Sequence, residues 1–165
     1  MPVIDDLDRI DLKILSELSR NGRLSWRELA ETIGLSLTPT LRRVRQLEKS
    51  GYITGYSAHL DESRLVGGMS LFVSITLEKQ SQDVLDRFER EITATPQVMS
   101  CFLMTGDADY ILRVVVEDLA GYQALLTSTL TKIPGVAHIK SSFALKAVLN
   151  RQAPLLPTAA RRKQK

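Results

Sequence analysis

The chain has 165 residues with a net charge of +3, 44% hydrophobic and 25% charged residues, which suits one medium or two small soluble globular domains. Its longest uncharged stretch, 92–106, is fifteen residues, broken by Pro96 and several hydroxyls, too short and polar for a membrane-spanning helix; an opening with Asp5, Asp6 and Asp8 gives no expectation of a secretory signal. One cysteine, Cys101, and two histidines cannot make an internal disulfide or a Cys/His zinc site, so a reducing cytoplasm is the expected compartment.

The first 55 residues read as three helices. Leu7, Ile10, Ile14, Leu15 and Leu18 recur at helical spacing until Asn21-Gly22. Ser25 and Glu28 form a capping box for a short second helix with Leu29, Ala30 and Ile33 on its apolar stripe, ended by Gly34. Ser36 is placed to cap a third helix, where Pro39 is tolerable only in the first turn. Leu41, Val44 and Leu47 face inward, and Gly51 stops the helix. Tyr52 to Leu60 then reads as a short strand.

From 69 the period switches. Leu71, Val73, Ile75 and Leu77 alternate with Phe72, Ser74 and Thr76, a strand pattern. Leu85, Phe88 and Ile92 mark a helix broken by Pro96, and Val98 to Thr105 a second strand. Gly106-Asp107 is a turn into a third strand, Tyr110 to Val116. Leu119, Tyr122, Leu126 and Leu130 mark another helix, and Ile139 to Val148 the last strand. An offset of 38 superposes Phe72 on Tyr110, Phe88 on Leu126, Ile92 on Leu130, Pro96 on Pro134 and Val98 on Val136. A repeated strand–helix–strand unit predicts a ferredoxin-like βαββαβ sandwich, and the chain as a whole an α+β fold with an N-terminal helix-turn-helix (winged-helix-like) domain. The expected divisions are a DNA-binding domain over 1–60, a join over 61–68 containing Gly67-Gly68, the sandwich over 69–149, and a disordered basic tail over 150–165.

Charge is unevenly distributed. Residues 1–60 carry nine Lys/Arg and eight Asp/Glu, residues 61–149 eight and eleven, and residues 150–165 five and none. Within the first segment, Ser36 to Gly51 sets Arg42, Arg43, Arg45 and Lys49 against Glu48 alone. A short helix, a tight turn and a basic helix make the layout of a helix-turn-helix, whose second helix enters the major groove of double-stranded DNA. Ser36, Thr38 and Thr40 would bring short hydroxyls to the N-terminal end of that helix, and Arg42, Arg43 and Arg45 would reach phosphates or guanine edges. A solvated helix face has the same charges. The turn Gly106-Asp107-Ala108-Asp109-Tyr110 also admits two readings. Gly and Asp are default turn residues; equally, an aspartate can pair the ammonium of a free amino acid while N–H groups beside a glycine take its carboxylate. Cys101 is expected to be a core residue rather than a sensor.

Asp8-Arg9-Ile10-Asp11, Ile14-Leu15, Gly34-Leu35-Ser36, Arg43-Val44-Arg45-Gln46-Leu47-Glu48, Gly51-Tyr52-Ile53 and the Gly106–Tyr110 turn occur in an order that resembles the Lrp/AsnC (feast/famine) family of transcription regulators, from about Leu7 to Val148. The chain departs at Ala108, where many members carry an aromatic or proline, and at Leu37, where many carry proline. The resemblance implies a bacterial or archaeal regulator that binds DNA sequence-specifically, responds to a small amino acid or related metabolite, and forms dimers or octamers. It also implies an effector at a subunit interface that meets Gly106, Asp107, Ala108, Asp109 and Tyr110, and Ser141 and Ser142 of the last strand. No metal or cofactor is expected beyond that amino-acid effector, and no catalytic pair stands out, so the chain is not expected to be an enzyme; its expected location is cytoplasmic and nucleoid-associated. Alternatives are an architectural DNA-compacting protein, or an amino-acid-binding module acting through protein contacts. A sandwich with helices on one face leaves Phe72 and Thr76 on the other, which points to a dimer through the sheet.

Overall fold

The structure is a computed structural model that describes residues 7–151, 153, 154 and 156. These residues fall into two compact units, one up to His59 that also includes the residues from Leu149 on, the other Leu60–Val148.

The first unit is a three-helix domain. Helix α1, Arg9–Arg20, begins at Asp8, whose carboxylate accepts the N–H groups of Ile10 and Asp11, each at 2.8 Å, while the Asp11 carboxylate accepts the Asp8 N–H at 3.1 Å. Two aspartates thus satisfy donors that the first turn leaves without partners. Helix α2, Trp26–Ile33, has the expected Ser25/Glu28 box, at 3.2 and 2.8 Å. Gly34 ends it in the left-handed region at φ 78°, a conformation that costs glycine little. Helix α3, Leu37–Lys49, takes Pro39 in its first turn; Ser36 sits at its N-cap, but its hydroxyl makes no capping bond. Ile14, Leu18, Leu29, Ile33, Val44 and Leu47 form the core, and Leu41 is only half-buried.

Tyr52–Leu60, expected as a strand, has no ladder partner among the described residues and runs irregularly. A strand is defined by its neighbour, and the helices of this unit offer no free edge.

The second unit follows the βαββαβ pattern. A short helix α4, Glu62–Leu65, in the stretch expected as a plain join, belongs to this unit. Then come β1 (Met69–Leu77), α5 (Gln82–Thr93), β2 (Val98–Leu103), β3 (Tyr110–Val116), α6 (Leu119–Ser128) and β4 (Val136–Phe143). The sheet order is β2-β3-β1-β4, antiparallel throughout. One face buries Leu71, Val73, Ile75, Leu77, Tyr110, Leu112, Val114 and Val116 against Phe88, Ile92, Tyr122, Leu125 and Leu130. Strand β4 stops at Phe143 rather than 148: the Ala144 N–H still bonds the Ser70 carbonyl at 2.8 Å, but β1 begins at Met69 and leaves the residues beyond without a partner strand.

The 38-residue offset holds where β2 and β4 both begin, at Val98 and Val136. It slips in the central strands. Tyr110 is buried on the helix face, whereas Phe72, its expected equivalent, is on the open face and 46% exposed. Leu71, not Phe72, occupies the inward position that matches Tyr110, so a period-two element has absorbed a one-residue shift that reverses its faces. Cys101 lies exposed on the edge strand β2, not in the core. Desolvation of the thiol, with the Glu89 carboxylate nearby, pushes it up to about 11, so it stays protonated at neutral pH. The expectation of a disordered tail lies outside the described residues for 152, 155 and 157–165.

Candidate nucleic-acid interface and effector site

Helix α3 has three working sides, separated by its 3.6-residue turn. Thr40, Val44 and Leu47 face the core. Thr38, Leu41, Arg42, Arg45, Gln46 and Lys49 line one outward stripe. Arg43 lies on the flank between them and turns to α1: its guanidinium donates to Asp8 at 2.6 Å and Asp11 at 2.8 Å.

That geometry divides the six residues expected at DNA. Ser36 and Thr38 are exposed at the start of α3, and Arg42 and Arg45 are exposed with no ion-pair partner among the described residues. Thr40 is corrected: it is fully buried and its hydroxyl donates to the Ser36 carbonyl at 2.9 Å. Arg43 is corrected too, because two carboxylates already neutralise it and only 28% of its side chain is exposed. Burial pushes the Asp8 carboxyl up, but the Asp11 N–H, the Arg43 guanidinium and the Ile10 N–H together outweigh it and hold Asp8 below the usual aspartate value. Arg43 is raised in turn, by its hydrogen bond to Asp11 first. The sequence reading missed Gln46 and Lys49 as members of the outward stripe. Lys49 was legible, being seven residues beyond Arg42.

In the second unit the Gly106–Tyr110 turn splits in the same way. Gly106 takes φ 123°, in the region that favours glycine. Asp107 is exposed and Ala108 half-exposed. Asp109 is 6% exposed and turned inward: its carboxylate accepts the Leu77 N–H at 2.6 Å and is also bonded by the Gln80 amide. Its own N–H donates to the Ile75 carbonyl at 2.9 Å, and its carbonyl accepts the Met104 N–H at 2.8 Å. Asp109 is therefore a latch between the turn and the end of β1, not a free ammonium acceptor. Tyr110 is core, stacked on Phe88 at 4.5 Å between ring centroids, with its hydroxyl donating to Glu89 at 2.7 Å. Desolvation, with the Glu89 contact, pushes that phenol well above its usual value.

A concavity of about 460 Å³ opens beside this turn on the helix-free sheet face. Ser74, Thr76, Asp107, Ala108, His138 and Lys140 contribute to its wall. Strand alternation explains which residues of β4 arrive there. His138, Lys140 and Ser142 pair with Thr76, Ser74 and Phe72 on the open face. Ser141 points the other way and is hydrogen-bonded to the Tyr122 hydroxyl under the helices, so it is removed from the expected site. Ser142 is on the open face, opposite Phe72 and beyond the concavity wall. His138 and Lys140 were missed by the sequence reading, although the same alternation would have paired them.

Residues 7–54 match the family model described as winged helix-turn-helix DNA-binding, and residues 70–154 the one described as the Lrp/AsnC ligand binding domain. The chain is 70% identical over 151 residues to the Bkd operon transcriptional regulator of Pseudomonas aeruginosa, covering 92% of this chain and 99% of that one. It is 41% identical over 143 residues to the leucine-responsive regulatory protein of Escherichia coli, 87% of each chain. A transcriptional regulator of Neisseria meningitidis, solved as its L-Met complex, superposes with a TM-score of 0.86 at 34% identity, over 90% of this chain and 96% of that one.

Two outcomes follow from the inward pairs. Arg43→Ala should destabilise the first unit by up to ~1 kcal/mol, a modest figure because Asp8 is half-exposed. Asp8 is held below its unfolded value of 3.8, so its stabilisation is full above that pH and is lost as acidity passes its folded value. Urea titrations of parent and variant should therefore differ at pH 6 and converge towards pH 2; a constant gap would separate the arginine from Asp8. Asp109→Ala leaves the Leu77 N–H without its partner and should cost ~1–3 kcal/mol in unfolding measured without any ligand. Parent-like stability would return Asp109 to the role of a free ligand group.

Proposed function

Because the chain belongs to the Lrp/AsnC family of transcriptional regulators, we propose that α3 reads an operator through Ser36, Thr38, Arg42, Arg45 and Lys49, and that an amino acid bound beside the Gly106–Ala108 turn modulates it. The observation that carries the DNA half is the outward stripe of α3. Three cations on it, Arg42, Arg45 and Lys49, have no ion-pair partner among the described residues, whereas Arg43 beside them is committed to the fold. Unpaired arginines next to short hydroxyls suit phosphate and base-edge contacts.

The concavity supports the effector half. Lys140 offers a cation for a carboxylate, exposed Asp107 an anion for an ammonium, and Ala108 leaves room for a side chain. The meningococcal relative was solved with L-methionine, and the E. coli relative is named for leucine, so the proposed effector is an α-amino acid with an apolar side chain. At 70% identity, the Pseudomonas regulator makes a Bkd operon the first target to test. The open sheet face also carries Phe72 and Phe102, 46% and 60% exposed, which favours a homodimer through that face. A second copy there would wall the same concavity, so ligand and assembly would be coupled. These relatives are transcriptional regulators, which supports a cytoplasmic protein acting on chromosomal DNA as part of this reading.

Gel shifts across a salt series test the DNA half. Arg42→Ala and Arg45→Ala should each lower the log–log salt slope by about 0.9, the loss of one phosphate contact, while Arg43→Ala should leave the slope unchanged. Equal slopes for all four proteins would remove the stripe from the interface. A thermal-shift screen of the twenty amino acids tests the other half. A ligand at a hundred times its Kd should stabilise by about 2.7 kcal/mol, and sedimentation with and without it should show a shift in assembly. No response to any amino acid in either measurement would overturn the effector reading.

A further inference from the structure

The three helices of the first unit do not begin alike. Capping boxes close the first turns of α1 and α2, but the Ser36 hydroxyl makes no capping bond to α3, so the N–H groups of that first turn are left without this partner. Leu37 opens the same turn and is 42% exposed. Residues 7–59 expose two other large apolar side chains, and neither is on α3. Trp26 starts α2, and Tyr56 follows α3 with its hydroxyl donating to Glu48 at 3.0 Å. One exposed leucine on a surface is ordinary. The setting of Leu37 is not. Exposed hydroxyl residues, Ser36 and Thr38, flank it in sequence, and half-buried Leu41 and exposed Arg42 follow one turn on. Val44, seven residues on and nearly on the same side of the helix, is 2% exposed, so α3 carries Leu37 past the edge of its own core.

We propose that Leu37 is a base-specificity residue that selects thymine, through contact with the C5-methyl group in the major groove. The proposal rests on the reading of α3 as the operator-contacting helix and adds to it the base that one side chain prefers. In a helix-turn-helix, residues at the N-terminal end of the second helix reach the base edges. Those edges carry hydrogen-bond donors and acceptors and a single apolar group, the thymine methyl. A leucine side chain satisfies no donor or acceptor. Set against a guanine, adenine or cytosine edge, it displaces water from polar groups and returns no hydrogen bond. Against the methyl, it removes apolar surface from water on both partners. The stripe then divides by chemistry. Arg42, Arg45 and Lys49 suit phosphates, Ser36 and Thr38 offer short hydroxyls, and Leu37 alone among them is fitted to an apolar group. The uncapped first turn is consistent with this division, because its N–H groups stay available to a phosphate beside the base that Leu37 meets.

The test starts from a pool of random-sequence duplexes, selected in parallel by the full-length parent and by Leu37→Ala. The variant replaces an exposed side chain with the strongest helix former, so its thermal unfolding should match the parent's. Sequences enriched by the parent should carry thymine at a position where the variant's sequences show no preference, with the other positions in agreement. In the parent's enriched duplex, deoxyuridine at that position removes the methyl and nothing else. The parent should bind the deoxyuridine duplex about four-fold more weakly, the factor expected for one buried methyl group, and Leu37→Ala should not distinguish the two duplexes. The salt slope should be the same for both proteins, since a methyl contact releases no counterion. The same thymine preference in Leu37→Ala, or a parent affinity unchanged by deoxyuridine, overturns the assignment of Leu37 and leaves the reading of α3 standing. A parent that enriches no sequence from the pool overturns the reading of α3 itself, and the assignment of Leu37 with it.

Discussion

Helix α3 packs on α1 and α2 through Val44 and Leu47, and one ion-pair cluster at its flank fixes which of its arginines is committed to that packing. Asp8 and Asp11 cap the first turn of α1, and the same two carboxylates receive the guanidinium of Arg43. The cluster does three things at once: it satisfies backbone donors, stabilises negative charge at a helix N-terminus, and ties α1 to α3. With Val44 and Leu47 buried in the core, the 3.6-residue turn brings Arg43 to the α1 carboxylates and leaves Thr38, Arg42, Arg45 and Lys49 outside. Helix α3 can therefore be basic without being uniformly available, and one of its arginines belongs to the fold rather than to a partner.

The second unit solves a similar problem with a sheet. Helices cover only one face, so every strand residue is assigned to core or surface by its parity. Asp109 works at the margin of this arrangement. Its carboxylate takes the N–H at the end of β1, its backbone bonds to β1 and to Met104, and the turn that follows Gly106 is held beside the strand. A buried carboxylate with its partners in place is costly to remove and adds rigidity to the loop it holds. The exposed part of the turn, Asp107 and Ala108, then faces the concavity from a fixed position, with Lys140 in the wall supplied by β4. The latch inside and the exposed groups outside come from adjacent residues of a single five-residue motif.

Much of this was legible in the sequence. The Ser25/Glu28 box, Gly34, Gly51 and the switch from helical to alternating spacing at 69 mark local events, and local events are written in nearest neighbours. The repeat gave the right topology for the same reason, since breakers at Pro96 and Pro134 precede strands that begin at equivalent positions. The site was legible as a region but not residue by residue. Thr40 and Arg43 looked like DNA contacts, and Asp109, Tyr110 and Ser141 like effector contacts, because composition reveals which groups are near a site and not which way they point.

The sequence by itself determined the element types, their order and the placement of charge, because each depends on spacing within a few residues. Only the tertiary structure decided which charges are free. Arg43 meets carboxylates more than thirty residues away, Asp109 meets an N–H thirty-two residues away, and one residue of slip turns Phe72 outward where Tyr110 turns in. Such pairings are set by how the packed elements meet, and the availability of a charged group depends on that meeting more than on the residues beside it.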